Sequence, residues 1–435
     1  VSPDTSERPA GSLPRPLLLL ENSKAVEIIS DEAVQAALRA DQGEDAKLDS
    51  WKNVPFTKKG DNFVSFVTGI HVNYTKGDQK GECSYVVKLN PFRPVFSEDI
   101  PDWTPMVFEK EGKFYLELLP ELNRIITQSG QKMLPFPKCY YAQYTEEKQM
   151  VIFEDLRLKG FKMTDRRKGM DLQHAILVMQ GLGRMHAASI IMQKEKSIDD
   201  LKTLYPFLFN ELLSGPMLEM MFSHHIATGK EMLSKVGGHK AAINWLDNLV
   251  PNISEFFSKN LALVPPFNAI CHGDCWNNNI MFRYNDTGLP VEVMLLDVQV
   301  NKVASLATDL NHFMFASLEG TVRKPNVDQL LTDYYASFSS VMEGCAQAVP
   351  FTKEELVKEY KNKNGYGLLF GCVIVPPIVT EGEEIPDMAN LTAENFEQAM
   401  KDFKNQMLES LDTNPVCKPR FVAMFDEMFE EGLFS

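Results

Sequence analysis

Three polar residues in the second half of the sequence have the types and the order that phosphoryl transfer requires. Asp274 follows His272-Gly directly, Asn279 lies a short way beyond it, and Asp297 ends the apolar run Val293–Leu296. A carboxylate can accept the proton of an attacking hydroxyl, while a carboxylate and an amide oxygen can hold Mg²⁺ against phosphates. Either part alone would be typical of an ordinary turn or strand end. Together they predict kinase chemistry, with Asp274 as the base and Asn279 and Asp297 as metal ligands.

Length, composition and charge are those of a globular enzyme. The chain has 435 residues, enough for two lobes with separate cores, and it is 44 % hydrophobic and 24 % charged. Its formal net charge of −15 argues against a nucleic-acid binder, since such proteins concentrate Lys and Arg. ATP would therefore have to be held by local cations and not by the overall field.

Cysteine usage and hydropathy predict a cytoplasmic protein. The seven cysteines are scattered, and no second pair accompanies Cys271 and Cys275 to complete a zinc site. The longest apolar run, Gly367–Val379, is short and interrupted by two prolines, so we expect no membrane span. Residues 17–20 are too few for a signal-peptide core. Because the sequence begins with Val, we expect an initiating segment to be missing.

Residue patterns divide the chain into three parts. Residues 1–20 are rich in Pro, Ser and charge, and we expect them to be disordered. Residues 21–155 form a predicted β-rich N-lobe, with an alternating strand at 63–72, further strands at 85–89, 140–144 and 149–153, a helix at 26–38 and another at 108–122. Residues 156–435 form a predicted C-lobe of helices with period 3.6. These helices span 172–192, 203–226, 238–261, 309–318, 327–345, 353–361 and 393–411. The pattern predicts an α+β, bilobal protein-kinase-like fold.

The N-lobe offers residues that could hold nucleotide phosphates. Lys88 ends a strand, which is the place of the phosphate-contacting Lys in kinases, although a strand Lys is more often a solvated edge residue. The following helix offers three partners for it, Glu109, Glu111 and Glu117. Upstream, the turn Gly60-Asp-Asn-Phe-Val-Ser could cover the phosphates through Gly60, Asn62 and Ser65, and an ordinary turn is an equally good interpretation.

With these motifs in order, the chain resembles the arthropod ecdysteroid kinase-like (CHK kinase-like) family, relatives of choline and aminoglycoside kinases. The resemblance extends from about Asp61 to the final Glu431-Gly-Leu. The motifs that carry it are Gly60-Asp-Asn-Phe-Val-Ser, Val87-Lys88, Glu111-Gly-Lys-Phe-Tyr with Leu119-Pro120, Phe153-Glu-Asp-Leu with Lys159-Gly-Phe, Gly183-Arg-Met-His-Ala-Ala-Ser, His272-Gly-Asp-Cys-Trp-Asn-Asn-Asn, Leu296-Asp-Val-Gln and Asp309-Leu.

The resemblance implies roles for further residues. It makes Glu111 the partner of Lys88 and implies that His186, His272 and Asp309 brace the catalytic loop. It also implies a linker whose backbone meets adenine, formed by Phe153, Glu154, Asp155 and Leu156. Two positions depart from the family pattern, Cys275 and Val298, and both keep apolar character.

The resemblance further implies ATP and Mg²⁺ as cofactors and an alcohol of a steroid such as ecdysone, or of a hydroxylated xenobiotic, as acceptor. Met and aromatic residues of the C-lobe permit such a pocket, although such stripes more often form core. They are Met217, Met220, Met221, Phe222, Leu368, Leu369 and Phe370.

Two alternatives remain open. One is a choline- or aminoglycoside-type kinase with a cationic acceptor near the acidic residues Glu381, Glu383, Glu384 and Asp387. The other is a non-catalytic ATP- or ligand-binding protein that kept the fold. Protein kinase activity is not expected, because no long activation loop and no Ala-Pro-Glu follow Asp297. We infer no obligate protein partner.

Overall fold

A five-stranded antiparallel sheet forms the first half of the fold. The structure is a computed structural model, which describes residues 26–54, 65–90, 104–145, 148–210, 215–380 and 396–435. The strand order is β1-β2-β3-β5-β4. The strands are β1 (Ala46–Val54), β2 (Phe66–Lys76), β3 (Gln79–Leu89), β4 (Cys139–Tyr144) and β5 (Gln149–Glu154). The predicted disorder of residues 1–20 lies outside the described residues.

Helix α1 (Asp31–Gln42) covers one face of this sheet. The Ser30 hydroxyl caps it by accepting a hydrogen bond from the Ala33 N–H at 3.3 Å. The helix was predicted at 26–38, and the cap explains its later start. Its apolar face, with Val34 and Leu38 fully buried, packs with strand residues in one core cluster.

A long helical segment between β3 and β4 positions the site from the N-terminal side. It consists of α2 (Thr104–Lys113), a π-helical turn (Phe114–Leu118) and α3 (Leu119–Gln128). A Cβ at Gly112 would lie 2.9 Å from the Tyr144 ring, so the absent side chain lets α2 approach β4 closely. This contact fixes the turn of α2 that carries Glu111.

The remainder of the described chain is mostly helical. The helices are α4 (Leu172–Glu195), α5 (Ile198–Leu204), α6 (Gly215–Val236), α7 (Lys240–Leu249), α8 (Ile253–Leu261), α9 (Ala307–Ser317), α10 (Gly320–Gly344), α11 (Lys353–Asn362), α12 (Asn364–Val379), α13 (Phe396–Thr413) and α14 (Cys417–Glu430). They form two apolar clusters, one around α4 and α10 and one around α12. The predicted α+β class is confirmed, and the lobe boundary after residue 155 stays a prediction.

Helix α4 has the length and hydropathy of a membrane span. Its most apolar window has a mean hydropathy of 1.3, and 78 % of that window is buried within the fold. A Cβ at Gly183 would lie 2.7 Å from the Tyr334 carbonyl oxygen, so α4 and α10 cross in close contact. Burial by other helices accounts for its apolar character, as in the core helix of a globular protein.

Several helix predictions differ from the structure. The helix predicted at 203–226 is two helices, α5 and α6, and a 3₁₀ turn at Pro206–Leu208 follows the first of them. The helix predicted at 238–261 is divided by a 3₁₀ turn at Val250–Asn252. Each turn contains a proline, which cannot donate to a preceding helical carbonyl. Helices α12 and α14 were not predicted. Nearly all of α12 is buried, so its sequence shows no amphipathic period.

Three short strands and a hairpin position the catalytic loop. Strand β7 (Asn268–Cys271) pairs with β10 (Lys302–Ser305). The hairpin of β8 (Ile280–Tyr284) and β9 (Pro290–Leu295) lies between them in sequence and pairs with β6 (Lys162–Met163). The predicted loop-and-hairpin arrangement is therefore confirmed. It places residues 272–279 beside residue 297, at the end of β9.

Candidate active site

One lysine and two carboxylates meet where the sheet faces the catalytic hairpin. Lys88 Nζ lies 2.7 Å from Glu111 Oε2 and 2.7 Å from Asp297 Oδ1. The predicted pairing of Lys88 with Glu111 is thus confirmed. The other two glutamates are excluded as partners of Lys88, because Glu109 pairs with a lysine of its own helix and Glu117 is exposed. The contact with Asp297 joins the first part of the chain to the hairpin.

The charges of this cluster do not cancel. Burial alone would lower the pKa of Lys88, but the neighbouring charges of Asp297 and Glu111 raise it above its usual value. Burial raises the pKa of Glu111, with Lys88 opposing that shift and Asp297 adding to it. One ammonium faces two carboxylates, so with both ionised the cluster has a negative excess. A further cation beside Asp297 would be favoured electrostatically.

The backbone of Asp297 is held in an uncommon conformation. Its φ angle is 62°, in the left-handed region that non-glycine residues rarely adopt. Such strain costs on the order of 1–3 kcal/mol and clusters at functional sites. The preceding residue, Leu296, is fixed at both backbone groups. His272 Nε2 lies 2.9 Å from its carbonyl oxygen, and its N–H donates to the Asn279 carbonyl oxygen at 2.8 Å. These contacts hold the carboxylate toward Lys88.

Asp274 and Asn279 form a second polar pair on the catalytic loop. The Asn279 side-chain amide donates to the Asp274 carboxylate and to the Asp274 carbonyl oxygen, both at 2.9 Å. Burial, followed by the charge of Asp297, raises the pKa of Asp274 to about 7. A carboxyl group with a pKa close to neutrality is suited to exchange protons in catalysis.

The oxygens of Asn279 and Asp297 fit a magnesium ion. Asn279 uses its Nδ2 group toward Asp274, and within the described chain no residue donates to its Oδ1. Asp297 accepts a hydrogen bond from Lys88 through Oδ1, and no described residue donates to its Oδ2. Mg²⁺ prefers oxygen ligands and commonly takes one or two from the protein. These residues could therefore hold the metal that the sequence predicts.

A buried carboxylate braces the start of the catalytic loop. Asp309 Oδ2 accepts from the His272 N–H at 2.6 Å, and Oδ1 accepts from the Gly273 N–H at 2.9 Å. His186 lies 3.1 Å from Asp309 through Nε2 and 2.9 Å from the Tyr334 hydroxyl through Nδ1. Burial alone would raise the pKa of Asp309, but His186 and the backbone donors lower it to about 2. These contacts confirm the bracing role that the resemblance implied.

The predicted adenine linker lies at the end of β5. Phe153, Glu154, Asp155 and Leu156 are all buried, so their side chains serve the fold and only their backbone could meet a nucleotide. Asp155, for example, accepts from the Ser84 hydroxyl at 3.1 Å. Their role stays a prediction.

Only part of the predicted phosphate-covering turn can be placed. Ser65 is half-buried and immediately precedes β2, in which Val67 is paired with Lys88 of β3. Gly60 and Asn62 lie outside the described residues. The phosphate-covering role of all three therefore stays a prediction.

With this geometry established, comparison with known proteins gives the family. The sequence profile described as the ecdysteroid kinase-like family matches residues 59–346. The chain belongs to this family. The predicted resemblance is therefore confirmed, and the chain is a phosphotransferase that acts on a hydroxyl acceptor. No relative of the chain is found among curated proteins.

Two solved structures are similar to this chain over most of its length. An ethanolamine kinase from Plasmodium vivax is 12 % identical with a TM-score of 0.45, and the match covers 95 % of this chain and 98 % of that one. A putative aminoglycoside phosphotransferase from Ralstonia eutropha is 13 % identical with a TM-score of 0.36, covering 87 % of this chain and 98 % of that one.

One buried residue of this ecdysteroid kinase-like protein was not found by sequence reasoning. His312, on α9, places Nε2 at 3.5 Å from Asp274 Oδ1 and stacks on Phe370 at 4.3 Å between ring centroids. A lone histidine on an apolar helix is normally interpreted as core. Its position one helical turn after Asp309 was the only signal that could have placed it near the loop.

Proposed function

We propose that this protein is an ATP- and Mg²⁺-dependent kinase that transfers the γ-phosphate to an alcohol of an ecdysteroid or a hydroxylated xenobiotic. The observation that carries the proposal is the convergence of Lys88, Glu111 and Asp297 beside the pair Asp274 and Asn279. Membership in the ecdysteroid kinase-like family supports the acceptor class.

The residues have complementary tasks in this reaction. Lys88, oriented by Glu111, would contact the α- and β-phosphates, and Asn279 and Asp297 would hold the metal. Bound Mg²⁺ would supply positive charge to the phosphate oxygens. The acceptor oxygen forms the new bond to the γ-phosphorus while the bond from that phosphorus to ADP breaks. The acceptor proton passes to Asp274, whose raised pKa suits it to receive that proton.

The described part of the C-lobe does not itself define an acceptor pocket. Phe222, Leu368, Leu369 and Phe370 are buried in one core cluster, so these members of the predicted apolar set act as core. The side chains of Met217, Met220 and Met221, and the acidic residues at 381–387, lie outside the described residues. A choline-type acceptor therefore remains the rival candidate for the same chemistry.

The environment of the cysteines agrees with a cytoplasmic site of action. All seven are unpaired, and five of them are buried. Unpaired buried thiols are typical of a reducing compartment. We therefore propose that the kinase works in the cytoplasm.

Thermal unfolding with nucleotide tests the binding half of the proposal. Millimolar MgATP should raise the Tm, because a ligand that binds only the folded state stabilises it by mass action. Asp297→Asn should lose the Mg²⁺-dependent part of that shift. The exposed Asp286→Asn serves as the matched control and should keep it. A wild-type chain whose Tm does not respond to MgATP would contradict the proposal.

Radiolabelled ATP with a panel of acceptors tests the transfer half. The panel contains ecdysteroids, hydroxylated xenobiotics such as phenols, choline and kanamycin. We expect labelled steroid or xenobiotic phosphate and no labelled choline or kanamycin. Binding of MgATP without transfer to any member of a broad panel would favour the non-catalytic alternative.

A further inference from the structure

The imidazole of His312 is buried next to the catalytic loop, and no described residue forms a hydrogen bond with it. The residue is 1 % exposed, and neither ring nitrogen has a partner among the described residues. Burying polar atoms without partners is unfavourable, and native proteins do so rarely. A contact that forms in another state of the site would satisfy one of these nitrogens.

Asp274 is the polar group that this imidazole faces. Nε2 lies 3.5 Å from Asp274 Oδ1, just beyond hydrogen-bond geometry. The other carboxylate oxygen, Oδ2, already accepts from Asn279 at 2.9 Å. Asn279 thus fixes Oδ2, and the Trp276 side chain is a further hydrogen-bonding group beside the carboxylate. A movement of a few tenths of an ångström would bring Oδ1 into hydrogen-bond range of Nε2.

The charge state of the ring makes it a donor toward the carboxylate and not a competing base. Burial lowers the pKa of His312 to about 3, so the ring is neutral at physiological pH and carries one proton. When Asp274 is ionised, its charge favours placing that proton on Nε2, the nitrogen that lies 3.5 Å from Oδ1.

We propose that His312 is a positioning residue for Asp274, donating Nε2–H to Oδ1 when MgATP and acceptor occupy the site. The proposal rests on the proposed kinase function. With Asn279 on Oδ2 and His312 on Oδ1, the carboxylate is held at both oxygens. The remaining lone pair of Oδ1 is then directed at the acceptor hydroxyl. Because its nitrogens are shielded from solvent, His312 acts through Asp274 and does not touch the acceptor.

A purely structural role for the ring is the competing explanation. His312 stacks on Phe370 of α12 at 4.3 Å with 27° between the ring planes, and this contact joins two helices. Phenylalanine would make the same contact without burying unpaired nitrogens. The stack alone therefore does not explain why the residue is histidine.

Kinetics of matched variants separate the two roles. His312→Phe keeps the stacked ring and removes the donor, whereas His312→Gln offers a side-chain N–H at a comparable reach. We expect His312→Phe to lower kcat by about 10- to 100-fold, the usual effect of misplacing a reacting group, with KM for ATP changed less than about twofold. His312→Gln should restore most of the lost rate. An unchanged kcat in His312→Phe would overturn the proposal.

A double-mutant cycle shows whether the effect passes through Asp274. In an Asp274→Ala background, His312→Phe should cause no further loss, because the group that it positions is gone. An equal fold-loss in both backgrounds would assign His312 to the core and overturn the positioning role.

Nitrogen NMR tests the contact without relying on activity. In ¹⁵N-histidine-labelled protein with a non-hydrolysable MgATP analogue and a candidate acceptor alcohol, the His312 ring, identified by its absence in His312→Phe, should carry its proton on Nε2. Its Nε2 signal should shift in Asp274→Ala. A ring protonated on Nδ1 would overturn the proposal. If wild type transfers phosphate to no acceptor, the kinase function fails, and this measurement still decides the contact.

Discussion

At the residue scale, the metal-binding candidates Asn279 and Asp297 and the phosphate-binding candidate Lys88 differ in how many of their polar atoms already have a protein partner. The donor atoms of Asn279 and one oxygen of Asp297 have protein partners, and their remaining oxygens face no described donor. Two of the three N–H donors of Lys88 are engaged by carboxylates. A phosphate that enters must therefore share the lysine with them. In the proposed function, the unpaired oxygens of Asn279 and Asp297 would hold the metal and Lys88 would contact the polyphosphate.

Removing the charge of Asp274 should separate chemistry from binding. Asp274→Asn keeps the size of the side chain but can no longer accept the acceptor proton. We expect turnover to fall by about 10²–10⁴, the usual contribution of a positioned general base, with nucleotide affinity nearly intact. Initial rates and the MgATP-induced change in Tm measure the two effects, with Asp286→Asn as the control. An unchanged rate would show that the base lies elsewhere.

Residues were predictable where their type and their spacing were both informative. The types and order of Asp274, Asn279 and Asp297 indicated a phosphoryl-transfer site, because few functions require that combination. The choice of Glu111 from three glutamates on one helix could not come from periodicity alone, and the contact with Lys88 decides it. His312 was not predicted, because a histidine on an apolar helix is typical of core. Its 3.5 Å distance to Asp274 arises only where α9 packs beside the catalytic loop.

At the element scale, the catalytic loop depends on close backbone packing between two neighbouring segments. Gly273 has a φ angle of 87°, and a Cβ there would lie 2.3 Å from the Val300 carbonyl oxygen. The loop before Asp274 therefore lies directly against the chain that leads into β10. Asp309 holds the same turn from the side of α9.

Adding one methyl group at this turn should disrupt the site. Gly273→Ala introduces left-handed strain of roughly 1–2 kcal/mol and, in addition, a clash with backbone. Gly288→Ala is the matched control, because φ is 79° there and nothing lies within 4 Å of the new Cβ. We expect Gly288→Ala to lower stability by the strain alone and to keep activity. Gly273→Ala should lower stability further and abolish transfer.

Chemical denaturation and initial rates measure both variants. Equal loss of stability at the two glycines, with activity retained at Gly273→Ala, would show that the loop relaxes around the extra methyl group.

Elements were predictable where one face meets solvent and the other meets the core. Helix α11 was placed correctly, because burial on one side imposes a period on the sequence. Strand β5 and helix α9 were also placed, although both are buried throughout. Helix α12 lacks that period, since it is covered on nearly all sides. Strand β1 was also missed over most of its length, because its pattern of buried and exposed residues is irregular.

At the whole-molecule scale, the net charge of −15 sets the background for binding. Such a field repels ATP and attracts cations, so a cationic acceptor would gain from it and a neutral one would not. Salt screens interactions between exposed charges, with a Debye length of about 8 Å at physiological ionic strength. The dependence of acceptor KM on salt therefore reports the acceptor class.

A neutral polycyclic alcohol should bind with little dependence on salt. Its affinity would come mainly from apolar burial, at roughly 25 cal/mol per Å², and no charge pair would be screened. We expect phosphorylation of 20-hydroxyecdysone or a similar steroid with a nearly constant acceptor KM as ionic strength rises. The KM for ATP, measured in the same assays, is the internal control, because a polyanion should respond to salt. Efficient turnover of choline with an acceptor KM that rises steeply with salt would exclude the steroid as the substrate. That result would leave the kinase assignment intact, because Lys88, Asp274 and Asp297 would do the same chemistry on a cationic alcohol.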